Sequence, residues 1–382
     1  MIDLASQYEI VSDEAGFRAL ETEWNALWDR AQGRYYQAFT VCQLAWQHVG
    51  KPLGRRLRCI VGRRDGRVVV IWPLVTYRKW LWNYVLPLSP DAGDYTSVLV
   101  EEGPGASTLV AGAWEVARRR CGADFLQMPY LRETQDLYRI ASRERRTLLA
   151  TRHDAWVAKL RSEGEWEPFC QSLGTLFRKK PGTFARRLSK EGDVRVQMTD
   201  PSDRTSNTRF VDWLLEHKRE WGERVDKMES WITSPHYRDF LVDLLTPHDG
   251  EPMARMIVVT LDDEPVAALI TSIGNPCAHA IIGAFDARHG KASPGSIAVE
   301  QGVRWSFDHR WDLDFGVGSE PFKSYWCRGK ASQVWTLHLI NSRWGHAAIL
   351  LKRTLRQFFR NTNEPELQHT DNNPDCAKTS LT

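Results

Sequence analysis

The sequence predicts an α/β (α+β) chain built from two related units, and three observations carry that reading. Each half holds two β-rich runs closed by an acidic turn. In each half a further strand and an amphipathic helix follow. The composition also supports real cores, since 42% of the 382 residues are hydrophobic and 26% charged, which leaves room for roughly two domains. A net charge of only +3 gives no overall electrostatic case for nucleic acid as an obligate partner.

In order along the chain, residues 14–30 place Phe17, Leu20, Trp24, Leu27 and Trp28 at helical spacing. A second helix is expected over 41–49. Residues 57–62 and 68–74 are β-rich and flank Asp65-Gly66, a strong hairpin signal. Strands are expected at 96–100 and 124–128, with a helix over 107–120 between them.

Helices are expected over 166–184 and 207–221, where apolar residues recur at i, i+3 and i+4. Residues 256–261 and 266–273 then flank Asp262-Asp263-Glu264-Pro265. Setting Asp65 over Asp263 brings Val68-Val69-Val70-Ile71 over Val266-Ala267-Ala268-Leu269. Two copies of one α/β unit explain this better than a single large sheet. The division expected is 1–150, 151–361 and a polar tail 362–382 without periodicity, which predicts disorder. The junction falls at 143–152, where charge is dense and apolar periodicity fades.

Basic runs at 118–120, 178–180 and 186–187 read as solvated helix faces. Among 17 tryptophans, Trp80 and Trp82 sit in Tyr77-Arg78-Lys79-Trp80-Leu81-Trp82-Asn83-Tyr84. Aromatic and basic residues mingled in this way suit an interface or a pocket for a long apolar ligand. The seven cysteines are scattered without metal-ligand spacing, so no metal site is expected. The start of the chain lacks a basic and then apolar leader, and nowhere do eighteen apolar residues run together. A cytoplasmic location is therefore expected. Residues 347–360 gather Leu351, Leu355, Phe358 and Phe359 on one helical side and Lys352, Arg353, Arg356 and Arg360 on the other. Such a helix packs on its own domain or lies on a membrane surface.

The most informative segment is Asp314-Phe315-Gly316-Val317-Gly318-Ser319-Glu320-Pro321-Phe322-Lys323-Ser324-Tyr325-Trp326. A strand expected over 311–315 runs into two glycines, then into a carboxylate, an ammonium, a phenol and an indole. Functional groups collect where a rigid strand ends in a loop.

Four stretches, in order, resemble the CelD-like group of GNAT acyltransferases, which are similar in fold to tandem GNAT proteins of the Fem type. They are the hairpin 57–74 ending in Trp72-Pro73-Leu74; Asp94-Tyr95-Thr96-Ser97-Val98-Leu99-Val100; the basic run from Phe177 to Val194; and the paired blocks 280–307 and 314–326. Two departures stand out. Phe322 follows Pro321 where relatives commonly carry Tyr, and Pro181-Gly182 interrupts a helix that relatives often keep.

The resemblance implies two tandem GNAT-like domains, each with a largely antiparallel mixed sheet flanked by helices, and an acyl-CoA co-substrate. The strand 280–286 would splay from its neighbour near Phe285. Arg288, Gly290, Lys291, Ser293, Gly295 and Ser296 would form the pyrophosphate loop before a helix over 297–308, whose N-terminus suits a diphosphate. Amide formation from a thioester needs a proton acceptor for the amine and a proton for the departing thiolate. Glu320, Asp286 and His289 are the candidate bases, and Tyr325 the candidate acid. Lys323 would neutralise an anionic acceptor or pair with Glu320, and Trp326 would form a pocket wall. In the N-terminal unit, which the resemblance implies lacks the cofactor machinery, Asp94 is the candidate to hold the acceptor's ammonium, with Tyr95 beside it. A lipidic amine such as a sphingoid base is the acceptor considered, giving ceramide formation. The alternatives are Fem-like transfer from aminoacyl-tRNA and a non-catalytic GNAT-fold binding protein in polysaccharide or lipid biosynthesis.

Overall fold

The computed structural model describes residues 8–92, 95–176, 179–247, 250–274, 276–347 and 349–351. The first half runs β1 (Tyr8–Val11), α1 (Glu14–Ala19), α2 (Glu21–Arg30), α3 (Phe39–Ala45), β2 (Arg56–Leu57), β3 (Cys59–Arg64) and β4 (Arg67–Trp72). It continues with β5 (Leu74–Lys79), β6 (Trp82–Pro87), β7 (Leu99–Val100), α4 (Ala106–Arg120), β8 (Phe125–Arg132), α5 (Asp136–Ala141) and β9 (Thr147–Ala158). The second half runs α6 (Trp166–Ser172), α7 (Thr183–Leu188), β10 (Val194–Met198), α8 (Arg204–Arg224), α9 (Pro235–Leu245), β11 (Ala254–Leu261) and β12 (Glu264–Ser272). It ends with β13 (Cys277–Phe285), α10 (Pro294–Asp308), β14 (Asp312–Val317), α11 (Pro321–Trp326) and β15 (Ala331–Ile340).

The repeat is visible element by element. A hairpin, a further strand (β6 and β13), a 15-residue helix, a strand, a six-residue helix and a long strand recur within β3 to β9 and β11 to β15, the first unit having β5 and the short β7 in addition. Both hairpins close on two-residue turns with left-handed backbone, Asp65-Gly66 (φ 52° and 78°) and Asp262-Asp263 (φ 50° and 66°). Positive φ at both central residues matches the twist of the flanking strands. The equivalence is therefore Asp65 with Asp262, one residue from the alignment the sequence suggested.

The two units do not keep separate sheets. Eleven strands form one sheet in the order β10-β11-β12-β13-β14-β9-β15-β8-β6-β5-β2, and β1-β3-β4-β7 form a second. β15, the last strand of the second unit, pairs with β8 of the first, while β9 of the first pairs with β14 of the second. The closing strands have changed places and pair antiparallel with each other at the centre. The junction expected at 143–152 consequently lies largely inside β9. That strand is exposed over its first four residues, which pairing with β15 holds in place of apolar side chains, and β14 joins its other side only from Ala155.

Pro73 lacks an N–H and splits the strand expected over 68–74 into β4 and β5. In place of the helix expected over 166–184 stand α6, which ends at Ser172, and α7, which starts at Thr183 directly after Pro181 and Gly182 (φ 75°). Asp13 caps α1 and Asp203 caps α8 through side-chain acceptance of Gly16 and Ser206 N–H groups. Of the strand expected at 96–100, only Leu99–Val100 pairs. One apolar cluster joins α2, α3, α8 and α9 across both halves, from Trp24 and Phe39 to Leu214 and Phe240. Across the second unit's sheet from α8 and α9, α10 packs on β11 and β12 through Ile297 and Ala298. The helix read over 347–360 lies mostly outside the described residues.

Candidate active site

β13 and β14 run parallel and pair at only three positions, Cys277↔Asp312, Ala278↔Leu313 and His279↔Asp314. Beyond His279, β13 continues to Phe285 held by β12 alone, while β14 turns to β9 with a register shift between Asp314 and Val317. The parting begins at His279, earlier along the strand than Phe285. It leaves the β14-facing edge of 280–285 without a strand partner among the described residues. Such an edge is a template for an extended, amide-bearing chain. Half-buried Ala280, Phe322 and Tyr325 pack against the apolar clusters on both sides of the gap.

The equivalent gap in the first unit is closed by the chain itself. β6 and β8 pair at Tyr84↔Phe125 and Val85↔Leu126. Alongside β8, Thr96 then donates its N–H to the Pro129 carbonyl at 3.1 Å and its hydroxyl at 2.5 Å. Tyr95, beside it, is buried.

At the point where β13 and β14 part lies a buried polar cluster. Asp314 is 3% exposed and accepts the Tyr95 hydroxyl at 2.9 Å, the Gly316 N–H at 2.8 Å and a guanidinium N–H of Arg132. The Arg132 guanidinium also lies 4.0 Å over the Tyr95 ring. His279 Nδ1 is 4.0 Å from the Asp314 carboxylate, and its ring stacks on Tyr35 at 5.4 Å. Burial works against the charge of Asp314, but His279, Arg132 and the hydrogen bonds from Gly316 and Tyr95 outweigh it and hold the carboxyl below its usual range. Burial likewise pushes His279 down, against the pull of Asp314, and pushes the Tyr95 phenol far up.

The mouth of the gap is built by two glycines. Gly316 (φ 69°) and Gly318 (φ 145°) turn the chain from β14 to α11. A Cβ at Gly318 would fall 2.3 Å from Glu320 Oε2 and 2.6 Å from Lys323 Nζ, so only glycine leaves this ion pair its place. Lys323 Nζ sits 3.0 Å from the Glu320 carboxylate and donates to the Val317 carbonyl at 2.7 Å. Trp156 donates its indole N–H to the Gly318 carbonyl at 2.7 Å. Burial would raise the Glu320 carboxyl, but Lys323 and Lys218 bring it below its usual value. Lys218, half-buried with its ammonium 3.9 Å over the Trp221 ring, is pushed by burial down to about 8.

The remaining residues singled out from sequence fall in distinct places. Asp286 is a buried cap, with its carboxylate accepting the Arg288 N–H at 2.8 Å and pairing with the Arg288 guanidinium at 2.6 Å. His289 lies 3.6 Å from Glu191. Lys291 and Arg288 are exposed. Ser293 is left-handed (φ 58°) just before α10, which starts at Pro294, three residues ahead of the helix expected over 297–308. Gly295 packs against the Phe285 ring, 3.0 Å from where a Cβ would stand. Ser296 N–H bonds to the Ser293 carbonyl at 3.0 Å. The buried Tyr325 hydroxyl has no hydrogen-bond partner among the described residues, and burial raises the phenol to about 12. Trp326 is 4% exposed and stacks on Trp166 and Phe169 in the core. Asp94 lies outside the described residues.

Sequence reasoning missed Arg132, His279 and the role of Asp314. One signal was present: Asp314 and His279 are polar residues each flanked by apolar neighbours within a strand, and a buried polar residue is the informative exception. Among the described residues, no group of His, Cys, Asp and Glu could hold a metal ion, and no helix is long and apolar enough to cross a membrane.

Residues 177–324 match the model of an acetyltransferase (GNAT) domain. No curated protein matches the chain. FemX is similar with a TM-score of 0.54 at 11% identity, covering 87% of this chain and 98% of FemX. The C-terminal domain of a putative lysylphosphatidylglycerol synthetase from Agrobacterium fabrum is similar with a TM-score of 0.52 at 11% identity, covering 89% and 96%. A conserved protein of unknown function from Bacteroides thetaiotaomicron gives 0.51 at 11%, covering 86% and 99%. The three structures share the fold, and the domain match supports an N-acyltransferase of the GNAT fold.

Proposed function

We propose that this chain transfers an acyl group from a CoA thioester directly to an amine, with the thioester arm lying in the gap between β13 and β14. The observation that carries this reading is the unpaired edge of β13 over 280–285. A pantetheine arm carries two amides and can add to a strand edge as a peptide does. The loop 288–296 and the start of α10 suit the diphosphate, through backbone N–H groups, Arg288 and Lys291. Asp286, engaged by Arg288, holds this loop in shape, and His289 lies along it.

The chemistry is assigned at the mouth. Glu320 holds the acceptor's ammonium and takes a proton from it, and the freed nitrogen attacks the thioester carbonyl. As the C–S bond breaks, Tyr325 gives its proton to the thiolate, and the second amine proton leaves to solvent. Tyr325 fits this role because its phenol stays protonated and its hydroxyl has no other partner among the described residues. Lys323 fixes Glu320, and Trp326 supports the wall from within the core. Asp94 and Tyr95 are proposed on the acceptor side, where Tyr95 acts through Asp314.

The acceptor is proposed to be a lipidic amine of the sphingoid-base type, on the strength of the family resemblance. A membrane contact through 347–361 belongs to the same reading. The test is thiol release from acyl-CoAs of increasing chain length against amine acceptors. Glu320→Gln is expected to slow turnover by at least about a hundredfold in a folded protein. Near-normal turnover removes Glu320 from the role, and activity that depends on charged tRNA favours the Fem-like alternative.

A further inference from the structure

The hairpin of β5 and β6 has an unusual tip. Lys79 pairs with Trp82, so Trp80 and Leu81 alone make the turn. Trp80 has φ 60°, a left-handed backbone that two-residue turns normally give to Gly, Asn or Asp. A bulky residue there is strained, and a persistent strained residue points to function. Trp80 is also 83% exposed and Leu81 59%. Two large apolar side chains therefore stand in water on a turn that a small polar residue would make more stably.

The tip is not isolated. Trp82 lies 6.4 Å from Trp344, which is 54% exposed, and Leu351 is 59% exposed on the segment that follows. Behind the tip, Tyr77, Tyr84 and Phe125 stack at 5.1 and 5.0 Å and stiffen the hairpin. Around it, Arg78, Lys79 and Arg343 are exposed. Residues 76–90 and 341–360 contain no Asp or Glu, and Lys352, Arg353, Arg356 and Arg360 follow in sequence. Asp124, the nearby carboxylate, accepts the Asn83 N–H and the Ser342 hydroxyl.

We infer that this edge docks on an anionic lipid surface, with Trp80, Leu81 and Trp344 entering the headgroup boundary while the surrounding cations meet lipid phosphates. Aromatic side chains favour that depth, and basic residues beside them are drawn to anionic leaflets. Charge decides the occupant, because exposed Arg78, Lys79 and Arg343, beside a carboxylate, Asp124, that Asn83 and Ser342 already engage, fit an anionic bilayer better than a second copy bearing the same charges. The inference adds the β5–β6 tip to the membrane contact proposed for 347–361, and it stands without the acyl transfer, since vesicle binding needs no catalysis.

The test is co-sedimentation of the full chain with phosphatidylcholine vesicles, with and without phosphatidylglycerol. Binding is expected only with phosphatidylglycerol, and it should weaken as salt rises. Trp80→Gly with Leu81→Ser should bind at least about tenfold more weakly. Glycine relieves the strained φ, so this variant should fold at least as well. Arg78→Glu with Lys79→Glu should lose binding while leaving the apolar tip intact. Equal sedimentation of variants and wild type overturns the inference. So does a wild type that ignores anionic vesicles, or one that forms a dimer which the tip variant breaks.

Discussion

Arg132 at the end of β8 pairs with Asp314 in β14, so a buried ion pair ties the first unit to the point where the second unit's sheet parts. Tyr95 closes the same carboxylate from the first unit. The gap in the second unit is thus braced by the first, whose own gap is filled by chain. Arg132→Met leaves Asp314 buried without its cation. We expect a loss of about 3–5 kcal/mol, read as a lower urea midpoint. A midpoint unchanged from wild type would show that the pair is dispensable.

Acid should weaken the fold in two stages. His279 is held below its ordinary value, so the unfolded chain binds a proton that the folded chain refuses, and stability falls as pH drops below about 6.5. Asp314 is held below the ordinary carboxyl range, so its contribution is present above that range and is lost as pH falls through the folded value. His279→Gln should flatten the first stage and shrink the second, because His279 is among the groups that hold Asp314 down. Urea midpoints across pH check both.

Gly318→Ala tests how the mouth is built. The added methyl meets Glu320 and Lys323, and φ 145° is unfavourable for alanine. We expect a stability cost of about 1–3 kcal/mol and a fall in kcat, because the ion pair must move. Full activity in this variant would show that the Glu320–Lys323 geometry does not matter.

Tyr325→Phe removes a hydroxyl that bonds to nothing described. Stability should hold or rise slightly, since an unsatisfied buried group is lost. Turnover should drop at least about tenfold, with KM for acyl-CoA little changed. A variant with normal kcat would return Tyr325 to packing alone.

Where local chemistry decides an element, the sequence was legible. Phe17, Trp24 and Leu27 are buried as their spacing predicts, though on two helices that meet at Leu20, and the acidic hairpin turns form with a one-residue shift in the second. The helix expected over 166–184 instead stops at Ser172. β9 and β15 were not legible. Their side chains carry little apolar alternation, and their places come from an exchange between units that no local pattern records. The site divides in the same way. Glu320 and Lys323 stand three residues apart on one turn, a spacing that can be read. Arg132, His279 and Asp314 come from three separate strands and meet only after the sheet forms. Trp326, expected at a pocket wall, stacks on Trp166 and Phe169 instead, where its size serves the core.

The most direct measurement is hydrogen–deuterium exchange with and without saturating acyl-CoA. Amides of 280–285, and those of 288–297 at the start of α10, should become protected together, with little change across 84–87 of the first unit. Saturating acyl-CoA that leaves 280–285 exchanging as before, or protects the first unit's strands in their place, would contradict the assignment of the gap.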